Sequence, residues 1–493
     1  MTISFDRRKF LQRGAAVTAG TVLASGTQLL GTHGALAAPG RRGPELRAPG
    51  NGGYGPLQPT EDRTTGLTLL HLPAGFEYAS FGHAAEYAAA LGLPAAVGSD
   101  GYPTPGRHDG MATFSTPETY RGAVRLVRNH EQGYSPTDAS QEPADYTASR
   151  AYDRVLIGDP ATAYDVAAAG GTTTLTFDTR SLTLVDSFIS LNGTSVNCAG
   201  GPTPWGSWLS CEETVNGTQN GFREDHGYVF EVPANGPDRK RSRGPFREMG
   251  RFAHEAVAVD PANGTVYETE DSGNTSGFYR FLPKRPGYLA EGGTLQMLAV
   301  KGRPQLQTHQ GVSDLVGRPL QVEWVTIEDP DPADITTESV FDQGFAQGGA
   351  SFARLEGCWY DGGSIFFNAT SGGDVGAGQV WEFRPRGRSG GQLILLLESP
   401  SEEVLDSPDN LTVSPRGGLV LCEDGGGQQF VRGLDEEGRI FDFALNSIEG
   451  DEDDVNNEFA GACFSPDGEV LFVNIQTPGV SFAIRGPWGK GAI

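Results

Sequence analysis

Cys198 lies in the run LNGTSVNCAGG (residues 191–201), and by fifteen residues beyond it the chain has placed Glu212 and Glu213 side by side. A cysteine kept only for packing sits among aliphatic side chains. Here Ala199 and two glycines follow the sulfur, and glycine lets a backbone come close to a bulky group. A thiolate among carboxylates is a metal donor set. Oxygen ligands alone suit Ca²⁺ or Mg²⁺, and one added sulfur points to a softer or more highly charged ion, iron foremost. With only 8 His in the chain, a histidine-rich zinc site is disfavoured. Cys211, Cys358, Cys422 and Cys463 lie in strand-like runs and read as small buried hydrophobes.

The same placement of polar groups recurs. Units beginning near Cys198, His254, Leu355, Asp409 and Glu458 share a pattern: a polar residue, a small or apolar run, a Pro, Asp or Gly turn, a β-branched or aromatic strand, then an acid or amide. TYRGAVRLVRNHEQGY (119–134) supplies the second half of a sixth unit. Leading positions hold Cys198, Glu255, Glu356, Asp409-Asn410 and Glu458; trailing positions hold Glu131, Glu212-Glu213, Glu270-Asp271, Asn368, Glu423-Asp424 and Asn474. Cys198 to Glu213 and Glu255 to Glu270 are both 15 residues, a spacing that a hairpin returns to one sheet edge. His130 and His254 precede key glutamates and read as hydrogen-bond donors to ligands rather than as ligands.

Each unit must then be a strand, a tight turn and an antiparallel strand, with GTTTLTFDTRSLTLVDSFISL, HGYVFEVP, SGFYRFLP and GQVWEFRP as alternating outer strands. The 70 Gly and 32 Pro suit many short strands joined by turns. Six units predict an all-β chain: a six-bladed β-propeller with insertions, each blade with its own small core and a metal site in the central channel. A β-sandwich array would give strands at the same rate, but the fixed placement of acids favours radial symmetry. Carboxylates converging on one channel repel one another unless cations separate them.

A net charge of -25 argues against nucleic-acid binding, and no run long and apolar enough for stable membrane insertion follows the N-terminus. Arg7-Arg8, Phe10-Leu11 and Ala35-Leu36-Ala37 read as a twin-arginine signal peptide over residues 1–38. That implies export by the twin-arginine translocase to the periplasm or beyond. Residues 39–65 read as a Gly/Pro/Arg-rich linker or wrapping arm, and 66–493 as a single catalytic propeller domain.

NCAGGPTPWGSWLSCEE, GRFAHEAVAVDP, ARLEG, VLCEDG and FVNIQTPG with FAIRGPW resemble the PhoX family of exported bacterial alkaline phosphatases, over roughly residues 65–490. The resemblance implies a monomeric propeller that hydrolyses phosphate monoesters at a mixed cluster of Fe³⁺ and Ca²⁺. It implies Cys198 as the iron-ligating cysteine, with Glu213, Glu255 and Glu356 as acidic ligands and Glu131, Glu423 and Glu458 completing the calcium shell. Asp409 joins the metal set through its place in the repeat. Arg354, two residues before Glu356, matches the phosphate-binding arginine, and its guanidinium fork suits two phosphate oxygens.

No Gly-x-Ser-x-Gly elbow occurs, so attack by a metal-bound oxygen is preferred to a phosphoserine route. Two rivals stand beside this reading. One is a calcium-dependent propeller hydrolase of lactones or other esters, which needs no thiolate. The other is a non-catalytic, calcium-binding extracellular propeller.

Overall fold

A computed structural model describes residues 46–116, 122–133, 157–235, 243–387, 389–448 and 458–493. The signal-peptide region, 1–38, lies outside the described residues.

Turn chemistry sets the repeating hairpin. Leu355–Asp361 and Ser364–Ala369 are joined by Gly362 and Gly363 alone, at φ 50° and 91°, the two left-handed positions that a tight hairpin turn demands. His108–Ser115 with Ala123–His130, Asn197–Pro202 with Ser207–Glu212, and His254–Val259 with Val266–Glu270 form hairpins of the same kind. So do Pro408–Val413 with Leu419–Glu423, and Phe459–Phe464 with Val470–Ile475. The first strands of these hairpins touch in cyclic order, the last meeting the first, so the set closes into a propeller-like ring.

The cores lie between neighbouring units rather than within each one, a correction to the sequence expectation. Met111, Leu126 and Phe177 of the first unit pack on Phe472 and Ala483 of the last; Leu209 and Val229 of the second pack on Val257 and Phe281 of the third. Every other adjacent pair shares such a cluster. A twisted strand pair is apolar on both faces here, because each face meets a neighbour.

The outer strands are less regular. The second unit has three strands, and the third and fourth merge edge to edge where Leu320–Thr326 pairs with Gly390–Glu398. The ring is closed by an early strand, Glu77–Phe81, which pairs with the late strand Val480–Arg485. Residues 46–65, expected as linker or arm, lie against this part of the fold: Tyr54 is buried and donates to the carbonyls of Trp488 (3.0 Å) and Ile493, and Leu57–Glu61 adds a strand to the sheet of the fifth unit.

Below the start of the inner strands the ring is filled. Gly110, Gly357 and Gly461 bring backbones so close that an added Cβ would lie 2.6 Å from Ala199 Cα, 2.7 Å from the Asp409 carbonyl and 2.4 Å from the Asp109 carbonyl. Beneath this constriction Trp359 packs against three separate clusters from around the ring, stoppering the centre. A cavity of about 20 Å³ persists between them. Trp359→Ala is expected to cost about 3 kcal/mol, read as a lower denaturant midpoint at unchanged m-value. An unchanged midpoint would mean that the indole is not the stopper.

Candidate metal centre

Each inner strand carries a bulge near its start, where two residues face one on the partner strand. A bulge re-aims a side chain out of the pleat. The first bulged residues of five units are Asp109, Cys198, Glu255, Glu356 and Asp409. In the sixth the bulge falls over Gly461 and Ala462, and Glu458 stands just before the strand instead.

Neighbouring units lock these bulges in place. Asn129 Nδ2 donates to the carbonyls of Cys198 (3.1 Å) and Ala199 (2.6 Å), Thr269 Oγ1 to that of Glu356 (2.7 Å), Asn368 Nδ2 to that of Asp409 (2.7 Å), and Asn474 Nδ2 to that of Asp109 (2.6 Å). Asn368 and Asn474 thus tie units together through their amide nitrogens; Asn474 Oδ1 accepts from Ser481, whereas Asn368 Oδ1 has no partner among the described residues.

Paired acids at the trailing ends divide the work. Glu212 accepts from the Ser195 amide (2.9 Å), His226 Nδ1 (2.6 Å) and the amides of Gly227 and Tyr228. Burial alone would lower the His226 pKa, but the Glu212 and Asp165 carboxylates outweigh it and raise it to about 9. Glu270 accepts from the Gly277 amide (3.0 Å) and Tyr279 Oη (2.6 Å). Glu423 accepts from Arg432 Nε (2.7 Å) and the Asp406 and Phe430 amides. All three hold loops. The residues after them, Glu213, Asp271 and Asp424, are the ones that act electrostatically on the bulged acids. Glu423, expected as a ligand, is thus corrected: its oxygens are spent on Arg432 and two amides, and Asp424 stands at the site.

Three groups of ligand atoms gather within 4.8 Å: Cys198, Glu213 and Glu255; Glu255, Glu356 and Asp409; and Asp109, Glu131 and Glu458. Cys198 Sγ lies 3.7 Å from Asp109 Oδ2, joining the first group to the third. Gln476 Nε2 donates to Asp109 (3.4 Å), Glu131 and Glu458. Of the expected residues, Glu131, Cys198, Glu213, Glu255, Glu356, Asp409 and Glu458 come together. Sequence reading missed Asp109, because the first strand of the first unit is separated from its partner by an unmatched run; His-Asp-Gly at 108–110, set beside His-Glu-Ala at 254–256, was the available signal. His130 and His254 do not touch the acids: His130 bonds the Gly106 carbonyl and Thr173, and His254 bonds Glu268.

The donor set fits metal ions. Among the described residues, both Glu255 oxygens and Asp109 Oδ1 are buried with no hydrogen-bond partner. Burial, then the charges of their neighbours, holds Glu213, Glu255, Glu356, Glu458 and Asp109 well above the usual carboxylate range. Burial also raises the Cys198 thiol, with Asp109 and Glu255 adding to it. Orphaned acceptors that crowd one another are what bound cations would satisfy.

Arg354 borders the site. Nε lies 3.1 Å from Asp271 and Nη2 2.6 Å from Glu356, and the side chain is 37% exposed. Burial alone would weaken its hold on the proton, but Glu356 and Asp271 outweigh that. Its φ of 47° is left-handed, a costly state for arginine. Arg107 precedes the first inner strand as Arg354 precedes the fourth, with φ 51° and Nη2 3.1 Å from Glu131.

The raised carboxyls set a pH dependence. Burial, with the Asp424 charge adding, pushes Asp409 to about 7. Folded and metal-free, the protein holds protons that the unfolded chain releases above about pH 4, so it loses stability as pH rises from there through about 7. Chelated protein is expected to show a Tm that falls steadily over that window, while metal-loaded protein does not. A flat Tm after chelation would contradict the crowding.

A family model described as "Alkaline phosphatase PhoX" matches residues 52–479. No curated protein matches the chain. Among solved structures, the gluconolactonase XC5397 of Xanthomonas campestris is 14% identical with a TM-score of 0.34, over 80% of this chain and 98% of that one. The periplasmic gluconolactonase PpgL of Pseudomonas aeruginosa is 16% identical with a TM-score of 0.35, over 76% and 78%.

Proposed function

The chain belongs to the PhoX alkaline phosphatases, metal-dependent phosphoric monoester hydrolases exported by bacteria, and we propose that it works through a mixed Fe³⁺–Ca²⁺ cluster at the centre of a six-bladed propeller. Glu255 carries this reading: its two buried, unpartnered oxygens stand between the sulfur-containing group and the all-oxygen group. Cys198, Glu213 and Glu255 would hold iron, since only this group offers sulfur. Asp109, Glu131 and Glu458, together with Glu356 and Asp409, would hold calcium. When bound, such ions neutralise phosphate oxygens and lower the pKa of a coordinated water.

The protein's own groups do the positioning. Phosphoryl transfer asks for charge neutralisation and an in-line arrangement more than for covalent help. The guanidinium of Arg354, oriented by Asp271 and Glu356, can present its fork to two phosphate oxygens. The tight layer of Gly110, Gly357 and Gly461 above Trp359 blocks approach from below, so the ester would enter from the mouth. Export by the twin-arginine translocase, a monomeric state and a single catalytic domain over 66–493 belong to the same proposal. Among the described residues no helix is long and apolar enough to cross a membrane.

Two substitutions test it. Cys198→Ala should lose iron and phosphatase activity together, measured by elemental analysis beside p-nitrophenyl phosphate turnover; full retention of both would end the assignment. Arg354→Ala should keep its metals and lose about 10²–10³ in kcat/KM. Unchanged kinetics would remove Arg354 from the phosphate site.

A further inference from the structure

The first unit turns a cationic face toward the unit that closes the ring. Arg128 is fully buried on Ala123–His130, and Nη1 donates to Ser481 Oγ at 2.7 Å across the seam. Among the described residues its Nε and Nη2 have no partner. Gly82, on the closing side, makes room for it: an added Cβ would lie 2.9 Å from Nη1.

Among the described residues no carboxylate pairs with the guanidinium. His108 Nδ1 is buried without a partner, and its Nε2 is taken by the Pro105 carbonyl at 2.9 Å. Ser481 donates its own proton to Asn474. Asp62, the carboxylate on the far side of His83, is engaged by the Ser80 amide (2.7 Å) and by the hydroxyls of Ser80 and Thr65 (both 2.6 Å).

A guanidinium keeps its proton in proteins. Even with burial lowering it to about 9, it is charged at neutral pH. An unpaired buried charge is strongly destabilising. A water would satisfy the free N–H groups but would leave that charge uncompensated.

We propose that Arg128 binds a small monovalent anion, a halide such as chloride, in the seam between the first and closing units, with Nε–H and Nη2–H as its donors. The site is separate from the acidic centre and independent of the phosphatase reading. Sealed between two sheets of one fold, it takes an ion that sheds its water readily and rejects bulky anions. The anion would bridge the junction where the early strand Glu77–Phe81 closes the ring, so it stabilises that closure by binding only the folded state.

Crystals of the metal-loaded protein grown in sodium bromide should show an anomalous peak beside Arg128. In solution, replacing sodium gluconate with sodium chloride at constant ionic strength should raise Tm saturably, by about 2–4 °C, and Arg128→Met should abolish that response. A bromide peak at Arg128 supports the proposal even if the variant does not fold. No peak there, or a wild-type Tm indifferent to chloride, overturns it.

Discussion

Mutual repulsion among buried carboxylates is the constraint that the rest of this structure answers. Asp109, Glu255, Glu356 and Asp409 are driven toward one axis with their charges uncompensated by protein groups, apart from the arginines at the rim. Left alone, such a group would swing outward to water. The inner strands prevent this by bulging at one shared place, and the bulges at Asp109, Cys198, Glu356 and Asp409 are tied to a neighbouring unit through their carbonyls. The backbone ties leave acceptor sites free on these acids, although Glu356 also accepts from Arg354, Asp109 from Gln476 and Asp409 from Asn410. Among the described residues Glu255 keeps both acceptors unclaimed.

The acid pairs extend the same logic. Glu212, Glu270 and Glu423 are chemically identical to the glutamates of the centre, yet each is saturated by amides, a phenol, an imidazolium or a guanidinium. They fasten the loops from which Glu213, Asp271 and Asp424 project. Asp271 in turn fixes Arg354, whose left-handed backbone is shared by Arg107, Val196 and Ser407, each two residues before a bulged residue.

Much of this was legible in the chain. The hairpin repeat and the convergence of Cys198, Glu255, Glu356 and Asp409 follow from spacing, because a two-residue side-chain period and a fixed turn return equivalent positions to one edge, while Arg354 was singled out by the family resemblance. What spacing cannot do is choose between adjacent acids. Glu423 and Asp424 differ in role because Arg432, nine residues on, happens to point back at the first of them. Asp109 escaped for another reason: its strand and its partner strand are separated by a run outside the repeat's length. Cores shared between units rather than enclosed within each were likewise invisible, since alternation shows which face is apolar but not what covers it.

Among the described residues, Trp359 and the glycine layer close one end of the ring and leave one door at the other. Ester, water, alcohol and inorganic phosphate then share a single corridor, and whatever is released at the closed end leaves behind whatever is released nearer the rim. In a hydrolase that held phosphate on the acidic cluster and the alcohol toward the mouth, the alcohol would depart first and phosphate last, so free phosphate would compete with incoming ester for the same berth. Turnover in such an enzyme slackens as its product accumulates outside and quickens when that product is scarce.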